Sequence, residues 1–99
     1  TAYPVTVNDP GLTAESLPQM RRVLGESNIR ASAPVTGAED FSYFQKIIPG
    51  FFWFLGVRNE GQGITGAHHT PEFDLDEAAL VPGVKLAANQ LVDYLERHR

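Results

Sequence analysis

The chain has no cysteine in 99 residues, which excludes disulfides and thiolate metal ligands within it. That absence leaves the compartment open, with a cytoplasmic location as the default expectation. No apolar run is long enough to span a bilayer, and no signal-peptide pattern opens the chain. Cations are scarce as well: eight Lys and Arg stand against twelve Asp and Glu, for a net charge of −4. Only Arg21-Arg22 and Arg97-His98-Arg99 cluster, so neither a nucleic acid nor an anionic membrane is an expected partner. G-x-S-x-G, P-loop and H-E-x-x-H motifs are all missing, as are internal repeats and low-complexity tracts. The first residue is Thr1 rather than Met, which suggests a processed or excised piece.

What is present reads as alternating extended and helical segments. Residues 2–7 alternate and are rich in β-branched and aromatic side chains, so they predict a strand, with Pro4 favouring an edge. Asn8-Asp9-Pro10-Gly11 predicts a turn or a hinge. A helix is expected before Gly25, its stripe being Leu17, Met20, Val23 and Leu24 and its cap Thr13 or Ser16. Pro18 favours the later start. Residues 29–35 are a short extended candidate, and residues 38–47 a short helix with Glu39 and Asp40 in its first turn. Those acids suit a helix dipole without any function, whereas Gly37 ahead of them would leave backbone N–H groups free for an anionic substrate.

Residues 51–57, from Phe51 to Val57, carry only apolar residues and glycine and predict a strand buried on both faces of a parallel sheet. Residues 29–57 would then form a β-α-β unit. A final helix over residues 80–98 is expected to cover the sheet with Leu80, Val84, Ala88, Leu91 and Leu95, leaving Asp93 and Glu96 outward. The fold class expected is α/β. Too few strands are available to complete the sheet, so the chain reads as part of a larger domain.

Chemistry concentrates after residue 57. Gly61, Gly63 and Gly66 spell G-x-G-x-x-G, but no helix is expected to open at Gly66. A dinucleotide site therefore lacks its pyrophosphate-binding end. His68 and His69 end the loop, with Glu72, Asp74 and Asp76 close behind to orient an imidazole. They are either solvated side chains or metal ligands. Two histidines cannot complete a catalytic zinc site, which takes three protein ligands, so further ligands would come from elsewhere.

The ordered series Gly37-Ala38-Glu39-Asp40-Phe41, Pro49-Gly50-Phe51, Phe54-Leu55-Gly56, His68-His69-Thr70-Pro71-Glu72-Phe73, Asp76-Glu77 and Leu80-x-x-Gly83 resembles a known family. It is similar to the C-terminal end of the zinc-dependent amidohydrolases typified by hippurate hydrolase, aminoacylase and N-acyl-amino-acid amidohydrolases. The resemblance implies a parent with a three-layer α/β zinc-peptidase core, of which these would be terminal strands and helices. Residues 1–9 would be the exit strand from an inserted lid domain, and residues 10–99 the end of the catalytic domain. It further implies about two divalent ions per subunit, zinc foremost, with Mn2+, Co2+ or Ni2+ as alternatives, and a homodimer through the lid.

The implied reaction is hydrolysis of an N-acyl amino acid or related peptide, with a glutamate as general base. By the same resemblance His69, ahead of Thr70-Pro71, is the metal ligand, with His68 the weaker candidate. Gly37 and Glu39 would lie on the substrate side of the cleft. The family's other ligands and its Glu-Glu pair are absent, so the remainder of the parent chain would be the essential partner and the piece alone inactive. The alternative is a small non-catalytic α/β interaction module in which the histidines are incidental.

Overall fold

A computed structural model describes residues 3–35 and 37–99, so the expectations that fell on Thr1, Ala2 and Thr36 lie outside it. Helix α1 spans Pro10–Leu24, α2 spans Phe41–Gln45 and α3 spans Leu80–Arg97. Short 3-10 turns occupy Glu26–Asn28, Glu60–Gln62 and Glu77–Ala79.

The start of α1 is set by the segment expected to turn. Asp9 is the N-cap, its carboxylate accepting from the Leu12 N–H at 2.8 Å, and Pro10 fills the first helical position. A proline there sacrifices only an N–H that has no helical partner. Ser16, the expected cap, is buried inside the helix instead. The helix runs on through Pro18 and stops at Gly25, with Arg21 and Arg22 in the last turn, where the dipole favours cations. Helix α2 is shorter than expected, starting at Phe41, so Glu39 and Asp40 stand ahead of it rather than within it.

Helices α1 and α3 pack antiparallel. Arg22, late in α1, meets Asp93 at 3.3 Å, and Glu15, earlier in α1, meets His98 Nε2 at the end of α3 at 2.6 Å. Met20 and Leu86 are the buried hydrophobic residues among those described. The inward seam of α3 is Gly83, Leu86, Gln90 and Asp93, which are buried or half-buried. Residues 51–57 lie along that helix in the opposite direction. Trp53 Nε1 donates to Gln90 Oε1 at 3.0 Å, Leu55 sits on Gly83, and the Val57 carbonyl accepts from the Asp76 N–H at 2.8 Å. Leu55 Cδ2 lies 2.7 Å from where a Cβ on Gly83 would be, so any larger residue there would force the Leu55 side chain to shift.

The expected α/β architecture is overturned. Among the described residues there is no strand and no sheet, only an isolated antiparallel bridge between Asn59 and Ile64. The three apolar or alternating runs have strand-like composition, but a strand needs a neighbour to take its N–H and C=O groups. None of the three lies in register beside another. Instead the Asn8 carboxamide pairs with Phe52 as a peptide group would, accepting from its N–H at 2.7 Å and donating to its carbonyl at 2.9 Å. The β-α-β unit over residues 29–57 therefore does not form. Nor are residues 51–57 buried on both faces: Phe54 and Gly56 are exposed and the rest half-buried.

The face assigned to α3 is also corrected. Leu80, Val84, Ala88, Leu91 and Leu95 are exposed, Val84 at 70%, while Asp93 points in to Arg22 and Arg97. The helix has apolar side chains on two sides, and periodicity alone picks the side with the larger ones. Close approach needs a small residue, and Gly83 is on the other side.

The result is a slab with extents of 44 × 39 × 19 Å and a radius of gyration of 15.1 Å, against about 13 Å for a compact domain of this length. Its accessible surface is 7760 Å², where a compact monomer of this size would expose about 5,600 Å².

Candidate functional site

The histidine loop leaves the scaffold and returns to it at one neck. Its two sides are joined by the Val57 carbonyl to Asp76 N–H bond and by Asn59 Nδ2 donating to Asp76 Oδ2 at 2.9 Å. The other carboxylate oxygen of Asp76 accepts from the Ala78 N–H at 3.0 Å and caps the turn that leads into α3. The Asn59 carboxamide, with the Ala78 N–H second, holds the Asp76 carboxyl below the usual carboxylate range. Both bonds favour the charged form.

Beyond the neck, the Asn59–Ile64 bridge closes a tight turn through Gly61 and Gly63. Residues 68–72 then follow as successive turns and a bend. No helix opens at Gly66, so the glycine pattern does not build a phosphate cradle. Residues 66–73 form a smaller closed loop. Thr70 Oγ1 donates to the Ala67 carbonyl at 2.6 Å, and the Phe73 N–H to the Thr70 carbonyl at 3.1 Å. The Gly66 backbone lies against the Glu72 carbonyl so closely that any β-carbon would run into it.

His69 sits on this loop at φ 64°, the one non-glycine residue with positive φ among those described. Left-handed backbone costs an L-residue roughly 1–2 kcal/mol, and such strain concentrates at functional positions. The His68 and His69 rings lie 3.9 Å apart at 31°, and the other neighbour of His68 is Phe73, at 5.4 Å. Both histidines are exposed. Among the described residues neither imidazole bonds to the acids expected to orient it: Asp76 is committed to the neck, Asp74 accepts from the Leu75 N–H at 2.8 Å, and Glu72 is exposed.

As a metal donor set this loop is partial. Among the described residues no group of three or more His, Asp or Glu side chains converges on a point. An exposed imidazole held by its backbone fits one position of a divalent-metal shell, and the other donors must come from outside these residues.

Gly37 is exposed with open space around it, and Glu39 is half-buried. The N–H groups around the start of α2 are engaged locally: Phe41 with the Glu39 carboxylate at 3.4 Å, Ser42 with the Glu39 carbonyl and Tyr43 with the Asp40 carbonyl. What sequence reasoning missed is the ring stack, the positive φ at His69 and the closing role of Gly66. A glycine three residues ahead of a histidine was the only available signal for that closure.

Comparison with known proteins adds an independent line. The chain is 38% identical to IAA-amino acid hydrolase ILR1-like 2 of Arabidopsis thaliana over 93 residues, covering 94% of this chain and 21% of that protein. It is 41% identical to thermostable carboxypeptidase 2 of Saccharolobus solfataricus over 81 residues, covering 82% of this chain and 20% of that one. The chain thus spans about a fifth of the length of these relatives. No solved structure matches it. The family model described as Peptidase family M20/M25/M40 matches residues 1–92, and the chain belongs to that family.

Proposed function

We propose that these residues form one part of a metal-dependent hydrolase that cleaves N-acyl amino acids or related amide and peptide bonds, with His69 as one metal ligand. Membership of the M20/M25/M40 peptidase family supports the reaction class. The relatives named as an IAA-amino acid hydrolase and a carboxypeptidase point to amides adjoining an amino acid. The observation that carries the role of His69 is its backbone. A strained left-handed residue at an exposed loop is what remains when a side chain must project at a fixed angle.

When bound, divalent ions supply Lewis-acid polarisation of the scissile carbonyl and an activated nucleophile at neutral pH. Zinc accords with an imidazole donor, with Mn2+, Co2+ or Ni2+ as alternatives. His69 would hold its imidazole at the rim of the site. Gly37, open on its Cα, and Glu39 would border the substrate. The remaining ligands and the general base would lie in the rest of the polypeptide. That same polypeptide would cover the exposed apolar positions on α3 and Phe54, since the chain exposes about 2,000 Å² more than a compact monomer would.

Metal analysis of the full-length protein tests this reading. His69→Ala is expected to lose one ion per subunit and nearly all hydrolysis of N-acyl amino acids, with the other ion retained. Unchanged metal content together with full activity would overturn the assignment.

A further inference from the structure

We infer that His68 is a positioning residue for the His69 imidazole, acting through the face of its ring rather than through a nitrogen. The inference rests on the reading of His69 as a metal ligand. Successive side chains on an extended backbone point in opposite directions, so neighbouring histidines do not ordinarily touch. Here the left-handed turn at His69 folds the backbone and brings the two rings to 3.9 Å at 31°.

Phe73 adjoins His68 at 5.4 Å and 59°. His68 is thus the middle ring of three, with Phe73 on one side and His69 on the other. The position of Phe73 is itself fixed by its N–H bond to the Thr70 carbonyl at 3.1 Å and by the Gly66 backbone packed against the Glu72 carbonyl. The array is therefore anchored at its far end, and the orientation passes from Phe73 through His68 to His69.

A ligating histidine is ordinarily oriented by a carboxylate or carbonyl that accepts from its second ring nitrogen. Among the described residues neither imidazole has such a partner. The nearby carboxylates of Asp74 and Asp76 are held by Leu75, Asn59 and Ala78. Ring packing takes over the orienting task that a hydrogen bond would perform. His68 needs a flat ring for this and does not need a nitrogen.

The test uses the full-length apo-protein, with metal affinity read by competition against a chelator and the apo melting temperature read alongside. His68→Ala is expected to weaken one ion roughly tenfold, the scale seen for outer-shell partners of ligating histidines, with the apo melting temperature unchanged. His68→Phe keeps the ring and loses both nitrogens, and is expected to restore the affinity. Wild-type affinity in His68→Ala overturns the inference, and so does a His68→Phe protein as weak as His68→Ala, which would make His68 a nitrogen ligand. His69→Ala separates the two readings. Unchanged metal content there removes the ligand assignment itself, whereas a lost ion there with wild-type affinity in His68→Ala removes only the stacking.

Discussion

The helical half of the molecule and the loop half are ordered by different means. Between α1 and α3 the order comes from a seam of side chains, with Leu86 and Met20 buried and Arg22–Asp93 and His98–Glu15 contacts at the C-terminal end of α3. Across residues 50–76 there is almost no buried apolar side chain, and order comes from carboxamides and carboxylates bonded to backbone: Asn8 on Phe52, Asn59 on Gln62, Asp76 on Ala78. The first kind tolerates exchange of one apolar residue for another of similar volume. The second depends on the donor and acceptor pattern of individual polar side chains, and loses a defined pair of bonds when one is removed.

Substitutions can set the two halves against each other. Leu86→Ala should be the most damaging, costing about 2–5 kcal/mol in denaturant unfolding of the full-length protein, because Leu86 is only 1% exposed. Asn8→Ala should follow at about 1–3 kcal/mol, because it leaves the N–H and C=O of Phe52 without their partner. Asn8→Asp keeps the acceptor and should lose roughly half of that. An Asn8→Ala protein as stable as wild type would mean that the loop half is not held by these bonds.

At the histidine loop, His69→Gly should raise apo-protein stability by roughly 1 kcal/mol relative to His69→Ala, since glycine accepts positive φ without penalty. Both variants should lose the same ion. Equal stabilities would show that the left-handed backbone carries no strain.

The smallest effect expected is on pH. The Asp76 carboxyl titrates lower in the folded protein than in the unfolded chain. Its contribution to stability is therefore fully present above the unfolded carboxylate value, about 3.9. It is lost as pH falls through the lower folded value. Asp76→Asn should therefore be less stable than wild type above pH ~5, and in acid unfolding the difference should shrink as pH falls through the folded value.

The same division governs how much could be read from the sequence. The existence and extent of α3 were legible, because Pro82 and an apolar repeat mark it over nearly the length found. Its packing face was not, because a glycine at the contact contributes nothing to a hydrophobic pattern. The signal for the start of α1, Asp9-Pro10, was present but is shared by turns and helix caps. Strand composition misled over residues 51–57, where Phe52 pairs with an asparagine 44 positions away and the Val57 carbonyl with the Asp76 N–H, and no neighbouring strand is involved. At the site, the histidine pair was visible in the sequence. Its geometry was not, since it depends on a backbone angle and on a close approach at Gly66 that no residue type specifies alone.

The neck formed by Val57, Asn59 and Asp76 has a consequence for variation. Because the two sides of the excursion are stapled to each other, residues can be added or removed between them without shifting the register of α3 against residues 53–57. The length of the histidine loop is thereby uncoupled from the scaffold that carries it. The reach of the imidazoles can thus change while the helix pair stays unchanged.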